Sequence, residues 1–182
     1  MNTIQIPEPR LARFLFSDTR IAFLWLVVRL YVGYEWIEAG ISKFQSSTWI
    51  GSEAGKALTG FVSGALQKTS GAHPDVQGWY AMFLNNVVLP NASFFSYVVT
   101  FGEIAIGIAL ILGAFVGIAA FFGAFMNLNF LLAGTISVNP ILFFFELFLV
   151  LAWRVAGWYG IDKWLLPHLG TPWKPGTIFN KK

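Results

Sequence analysis

Hydrophobic residues along this chain are gathered into four long runs, separated by stretches that are polar or rich in glycine. The runs cover residues 21–44, 94–115, 117–138 and 140–160. Each run is close to the roughly 20 residues that a helix needs to cross the hydrocarbon core of a bilayer. The pattern therefore predicts four transmembrane helices, here called predicted helices one to four, within a single domain over 1–182.

The long segment between the first two runs, residues 45–93, is polar and Gly-rich. Apolar residues recur at helical spacing over 54–66 and oppose polar positions, which is the pattern of an amphipathic surface helix. A second piece, over 75–89, carries Trp79 and is bounded by Pro90. Because Trp and Tyr concentrate where water meets the acyl chains, this piece should lie in the membrane interface. The segment is predicted to be a helical lid.

The connections between the last three runs are very short, so predicted helices two, three and four should be antiparallel neighbours in an up-down bundle. Four crossings leave both termini on one side of the membrane. That side carries more basic residues than the lid, which offers Lys56 and Lys68. By the positive-inside rule, the tails 1–20 and 161–182 are cytoplasmic and the lid is extracytoplasmic. The basic residues of the tails are Arg10, Arg13, Arg20, Lys163, Lys174, Lys181 and Lys182.

Composition supports an all-α integral protein of the cell membrane. The chain is 56% hydrophobic and 12% charged, against about 25% charged residues in soluble domains. With no cysteine, the chain cannot form disulfides, thiolate metal sites or a thiol redox relay, so redox chemistry would need a bound cofactor or substrate. The net charge of +3 includes no dense basic run, which argues against nucleic acid as a partner. His73 and His168 lack ligand spacing, and no metal site is predicted.

Ionisable and amide side chains interrupt every apolar run. A charge at such depth costs at least ~2.5 kcal/mol, so these side chains should face the bundle interior and find partners. Counting a rise of about 1.5 Å per residue from the cytoplasmic end of each helix, most of them fall in one layer near mid-membrane. Glu38 lies higher, and Lys43 approaches the outer surface. The full set is Arg29, Glu35, Glu38, Lys43, Glu103, Asn127, Asn129, Glu146 and Arg154.

Helical phase divides the first run into two stripes. Arg29, Trp36 and Lys43 share one stripe, while Glu35 and Glu38 lie on another. Because both stripes cannot face one point, at least one of these two glutamates should contact the lid or a partner, or hold a proton.

The buried charges have a structural and a functional interpretation. In the structural one, Arg29 and one or two carboxylates form a clamp that fixes helix register. In the functional one, a flat redox-active ring with two carbonyls sits between helices, with a cationic donor on one oxygen and a carboxylate that moves protons. Arg29, Glu103 and Glu146 are then the catalytic candidates. The candidates for binding quinone or substrate are Lys43, Glu35, Glu38, Asn127, Asn129, Arg154 and Trp36.

Several spaced motifs over roughly residues 20 to 165 resemble the DoxX and DoxD group of small four-helix membrane proteins. They are RLYVG at 29–33 and GISKF at 40–44, GE at 102–103, MNLNF at 126–130, and AGWYGID at 156–162. The resemblance gives weight to Arg29, Gly40, Lys43, Glu103, Asn129 and Asn139.

Proteins similar to DoxD form the membrane subunit of a thiosulfate:quinone oxidoreductase, which oxidises thiosulfate to tetrathionate and reduces quinone. The resemblance thus implies quinone as substrate or cofactor and an extracytoplasmic partner subunit, with self-association left open. Two alternatives stand beside it. One is a non-catalytic scaffold that recruits a redox partner, and the other is a small-solute or proton pathway through the glutamates.

Overall fold

The computed structural model describes residues 8–170, and within this range the chain is helical and contains no β-strand. The predictions for residues 1–7 and 171–182, including the basic residues Lys174, Lys181 and Lys182, lie outside the described residues. The α-helices are α1 Arg10–Ser17, α2 Ala22–Phe44, α3 Lys56–Leu66, α4 Gly78–Phe83, α5 Ala92–Leu112, α6 Val116–Leu132, α7 Asn139–Leu151, α8 Trp153–Ala156 and α9 Asp162–His168.

The long helices α2, α5, α6 and α7 pack side by side around an apolar core, and successive ones run in opposite directions. Arg29, in the first part of α2, contacts the end of α5, whereas Lys43, near the end of α2, contacts Glu103 at the middle of α5. We call the two ends of the bundle the Arg29 end and the Lys43 end. The alternating order agrees with the predicted up-down arrangement.

Glycines allow α2 and α5 to approach closely. A Cβ atom added to Gly33 would lie 3.1 Å from the carbonyl oxygen of Gly107, and one added to Gly40 would lie 2.9 Å from the backbone nitrogen of Ile104. Both distances are too short for a real side chain, so the two backbones are in direct contact. Small residues at helix crossings have this effect in membrane bundles.

The helix that leads into α5 does not end at Pro90, as the sequence had suggested. A π-helical stretch over Leu84–Val88 follows α4, and a 3-10 turn over Leu89–Asn91 joins it to α5. Pro90 occupies the start of that turn, where its missing N–H is not needed. Within the described range, the resulting 35-residue stretch Gly78–Leu112 is the one helix long and apolar enough to cross a membrane.

The other long helices are less clear-cut as membrane spans. Helix α2 has 23 residues but carries four ionisable side chains. Helix α6 ends at Leu132 rather than near 138, because the chain reverses through Gly134 at φ +70° and Ser137 at φ +42°. Helix α7 has 13 residues and is separated from α8 by a turn at Ala152. The predicted fourth run is therefore two helices, not one.

Helix α3 confirms the amphipathic helix predicted between the first two runs. Its face of Leu58, Val62 and Ala65 is buried, while Thr59 and Ser63 are exposed. The buried face forms a second apolar cluster with residues from the start of the Gly78–Leu112 stretch. The helix is thereby fixed over the Lys43 end of the bundle.

Part of the N-terminal tail is helical, because residues 10–17 form α1, which the sequence analysis did not predict. The Trp25 indole nitrogen donates a 2.7 Å hydrogen bond to the Leu15 carbonyl, and Phe16 stacks on the Trp25 ring. The tail thus packs on the Arg29 end.

Candidate functional site

Arg29 is almost fully buried, at 1% exposure, and it binds backbone rather than carboxylates. Its Nη1 donates to the carbonyl oxygens of Leu110 at 2.5 Å and Ile111 at 2.7 Å, and its Nη2 donates to that of Tyr159 at 2.8 Å. The last carbonyls of a helix lack intrahelical partners and carry partial negative charge. Arg29 therefore caps the end of α5 and ties it to the chain after α8.

Asp162 caps the start of a helix, as Arg29 caps the end of one. The sequence analysis gave Asp162 no role. Its Oδ1 accepts from the Phe115 N–H at 2.6 Å and its Oδ2 from the Val116 N–H at 2.9 Å, at the start of α6. Burial raises the pKa of Asp162, while the two backbone N–H groups act in the opposite direction. The sequence gives one indication of this role. The residue before α6 is Phe115, whose side chain cannot cap a helix, so the first N–H groups of α6 need an acceptor from elsewhere in the chain.

At the Lys43 end, Glu146 lies between two neutral donors. Its Oε1 accepts from the Trp36 indole nitrogen at 2.6 Å and its Oε2 from the Asn127 side-chain nitrogen at 2.7 Å. Both Glu146 and Asn127 have no exposed surface. The remaining Asn127 oxygen, Oδ1, has no hydrogen-bond partner among the described residues. A buried acceptor of this kind is costly unless something donates to it.

A second polar group at this end is the ion pair of Lys43 and Glu103. The Lys43 ammonium donates to both carboxylate oxygens of Glu103, at 2.9 and 2.8 Å. The Glu103 side chain is 1% exposed, whereas that of Lys43 is 18% exposed. The ammonium also lies 5.2 Å from the ring centre of Trp49. The pair therefore joins a buried carboxylate to the surface of the bundle.

These groups surround a cavity of about 450 Å³, which we call the polar cavity. Ligand pockets usually measure about 300–1,000 Å³, so its size suits a small ring. Glu146 does not line it directly but holds two residues that do, Trp36 and Asn127. The predicted site residues in its wall are Glu35, Trp36, Glu38, Lys43, Glu103 and Asn127.

Three of the predicted site residues lie outside this cavity. Arg29 binds the end of α5, at the Arg29 end of the bundle, and does not line the polar cavity. Arg154 also lies at that end, with Nη1 3.3 Å from a carboxylate oxygen of Glu8. Asn129 accepts from the Tyr80 hydroxyl outside the polar cavity. Counting depth along each helix cannot anticipate a long side chain that reaches past its own turn to the end of a neighbouring helix.

The cavity also has walls that the sequence analysis did not identify as part of a site. They come from the segment after α2, from α3 and from the turn between α6 and α7. These residues are Trp49, Leu58, Phe61, Phe130, Thr135, Ser137 and Asn139. Asn139 was singled out only through the family resemblance and Phe130 is the last residue of the MNLNF motif, whereas the others belong to no quoted motif.

Lys56, one of the two lysines of the predicted lid, already has an acidic partner. Its ammonium is paired with the carboxylate of Glu53 at the surface. Lys43 is likewise paired with Glu103. Between residues 8 and 170, moreover, no group of three or more His, Asp or Glu side chains is placed to hold a metal ion.

The chain was compared with known protein families. Residues 24–136, which contain most of α2, all of α3 to α6 and most of the residues that line the polar cavity, match the DoxX family. No curated protein and no solved structure matches the chain. Because the match covers more than half of the sequence, the chain belongs to the DoxX family, a group of membrane-associated proteins.

Proposed function

We propose that this protein is the membrane subunit of a quinone-linked oxidoreductase and that the polar cavity binds the quinone ring. The observation that carries this proposal is the buried Lys43–Glu103 pair in the wall of an aromatic cavity. Reduction of a quinone to a quinol takes up two electrons and two protons. A cation and a carboxylate side by side can stabilise charge on one ring oxygen and supply its proton.

In this proposal, Lys43 takes the role that the sequence analysis gave to Arg29. Its ammonium would donate a proton to one carbonyl oxygen of the ring, and the Glu103 carboxylate would take up a proton from the aqueous phase and pass it to the amine, with the second proton of the quinol also coming from the aqueous phase. The unpartnered Oδ1 of Asn127 would accept a hydrogen bond from a quinol hydroxyl. Glu146 then acts as a positioning residue, because it fixes the orientations of Trp36 and Asn127.

The electron donor in this proposal is thiosulfate, following the DoxD resemblance. The balanced reaction converts two thiosulfate ions, one quinone and two protons into one tetrathionate and one quinol. Because Lys43 and Lys56 are already paired with carboxylates, neither offers free charge to a dianion. We therefore place thiosulfate oxidation on an extracytoplasmic partner subunit, which would pass electrons to the quinone in this chain.

The proposal includes a topology in which α2, α5, α6 and α7–α8 each cross the bilayer. Both termini are then cytoplasmic, and the polar cavity lies toward the extracytoplasmic side. Supporting this are the membrane-associated family, the 35-residue apolar helix and the alternating helix directions. Labelling of single cysteines introduced at exposed Ser63 and Arg13 with an impermeant reagent in whole cells tests it, with modification at Ser63 only as the expected result.

Two lysine-paired glutamates provide a matched test of the site. Glu103→Gln changes the pair at the cavity, and Glu53→Gln changes the pair at the surface. Quinone binding to purified protein can be followed by quenching of tryptophan fluorescence, because Trp36 and Trp49 line the cavity. Thiosulfate-dependent quinone reduction is measured with the co-purifying partner present.

We expect Glu103→Gln to lower turnover about 100-fold, within the range of a general acid or base, and Glu53→Gln to leave it unchanged. Equal turnover in both variants would remove the cavity from the mechanism. A wild-type protein that neither binds nor reduces quinone would end the proposal.

A second candidate function is the scaffold, and the capping role of Arg29 favours it. The structure gives this arginine a structural partner at every hydrogen bond it makes. In that case, the lid segment docks a redox enzyme and the polar cavity is incidental. Glu103→Gln separates the two functions, since a scaffold with this change keeps both its partner and the partner's activity.

A further inference from the structure

A second cavity, of about 360 Å³, lies beside the polar cavity. We call it the apolar groove. It is formed by α3, by the first part of the Gly78–Leu112 stretch and by α6. Its characteristic side chains are Val62, Phe83, Val88, Val98, Phe125 and Met126.

The polar side chains that line the groove are already satisfied. The Tyr80 hydroxyl donates at 3.0 Å to the side-chain oxygen of Asn129, and the Asn129 side-chain nitrogen donates at 2.8 Å to the Phe125 carbonyl. Both side chains are therefore engaged with other parts of the protein, and the rest of the lining is apolar. The groove suits a hydrocarbon chain.

The two cavities share a wall. Leu58 and Phe61 from α3 and Phe130 from α6 line both of them. Phe61 and Phe130 meet edge to face, with ring centres 6.1 Å apart. A ring bound in the polar cavity would thus have this wall as a neighbour, and a substituent passing it would enter the groove.

The structure points to one ligand for both cavities: we infer that it is a quinone with a long apolar tail, whose ring occupies the polar cavity and whose tail occupies the groove. This inference rests on the proposed function and adds the class of quinone. In the polar cavity, Lys43 and the free Oδ1 of Asn127 would bind the ring oxygens, and in the apolar groove, hydrophobic side chains would contact the tail.

The test compares two quinones with the same dimethoxy-methyl ring, one without a tail and one with a ten-carbon tail. Val98→Phe narrows the groove from its edge, where Val98 is 49% exposed and should tolerate the change. Ile108→Phe is the matched control, because Ile108 is 46% exposed on the same helix and lines neither cavity. Binding is measured by tryptophan quenching at equal mole fractions of quinone in detergent.

We expect Val98→Phe to weaken binding of the tailed quinone at least about tenfold, a change of about 1.4 kcal/mol. Binding of the tail-less quinone should stay the same, and Ile108→Phe should change neither. A diazirine at the end of the tail should cross-link to peptides of α3, α5 and α6 that border the groove.

Two other outcomes overturn the inference in distinguishable ways. If both quinones bind but Val98→Phe has no selective effect, or cross-links scatter over the lipid-facing surface, the groove holds ordinary lipid and the proposed function stands. If neither quinone binds the wild-type protein, the proposed function fails together with the inference.

Discussion

The two ends of the bundle both contain buried charge, but they satisfy it with different partners. At the Arg29 end, Arg29 and Asp162 bind backbone carbonyl and N–H groups at helix termini. At the Lys43 end, Glu103 and Glu146 bind side chains of Lys43, Trp36 and Asn127. At the Arg29 end these bonds join helix termini, whereas at the Lys43 end they hold residues that line the polar cavity.

The difference separates structural from functional charge. A charge bound to helix termini is needed wherever those termini are buried, because their backbone groups have no other partner. A charge bound to side chains beside a cavity could be replaced by apolar residues of similar volume if packing were its only purpose. The sequence analysis treated Arg29 and Glu103 as one site, and the structure gives them separate partners, backbone carbonyls for Arg29 and the Lys43 ammonium for Glu103.

The largest effect should come from removing the clamp at the Arg29 end. Arg29→Ala removes the side-chain donor to the carbonyls of Ile111 and Tyr159 and one of the two donors to that of Leu110, which also accepts from the Gly113 N–H. Hydrogen bonds to charged groups contribute about 1.5–3 kcal/mol each. We expect a loss of stability of at least about 3 kcal/mol, seen as a lower unfolding temperature in detergent and a lower yield. Arg13→Ala, at an exposed position of α1, should be neutral. A stable but inactive Arg29→Ala protein would return Arg29 to the catalytic site.

Asp162→Asn should have the next largest effect, again on stability. The amide has one acceptor oxygen where the carboxylate uses two, so either the Phe115 or the Val116 N–H loses its partner. Loss of a helix cap lowers the free energy of unfolding by about 0.5–2 kcal/mol. Because Asp162 is buried, we expect a loss of about 2 kcal/mol. Thermal unfolding measures it, with Asp75→Asn at an exposed position as the control. Unchanged stability would show that water can reach this end.

At the Lys43 end, Glu146→Gln should preserve the fold and reduce function. The amide oxygen can still accept from Trp36, and its NH₂ group can donate to the free Oδ1 of Asn127 after that side chain turns over. Stability should therefore change by less than about 1 kcal/mol. Quinone turnover should fall about tenfold, which equals about 1.4 kcal/mol in the barrier, because Asn127 no longer presents its acceptor. A large loss of stability with unchanged quinone turnover would show that the buried charges at both ends of the bundle are structural.

The smallest effect concerns an exposed carboxylate at the Arg29 end. Hydrogen bonds from Arg20 lower the pKa of Asp18 from its usual 3.8 to about 2. A depressed pKa in the folded state means that the stabilisation is present above pH 3.8 and is lost as the pH falls through about 2. Asp18→Asn should therefore be slightly less stable than the wild type at pH 5, and the difference should shrink as the pH falls through about 2 and vanish well below it. A difference that persists well below pH 2 would assign the effect to the amide rather than to the charge.

Much of the fold could be predicted from periodicity. The apolar runs located α2 and α5 to within a few residues, and the alternation over 54–66 identified α3 and its buried face. Where the prediction missed, backbone geometry was the reason. Pro90 does not end the helix, because a π-helical stretch and a 3-10 turn accommodate it. The chain reversal near Gly134 ends α6 about one and a half turns before the end of its hydrophobic run.

By itself, the sequence determined that the chain is helical and apolar, that it carries ionisable residues within apolar helices, and that Glu103 and Lys43 belong among them. These properties follow from composition and from the helical period, which are local. Only the tertiary structure decided which charges share a site, because partners such as Glu146 and Trp36 lie 110 positions apart in sequence. It also decided that Arg29 caps a helix and that Asp162 caps another, since a helix terminus becomes a binding partner only where packing buries it.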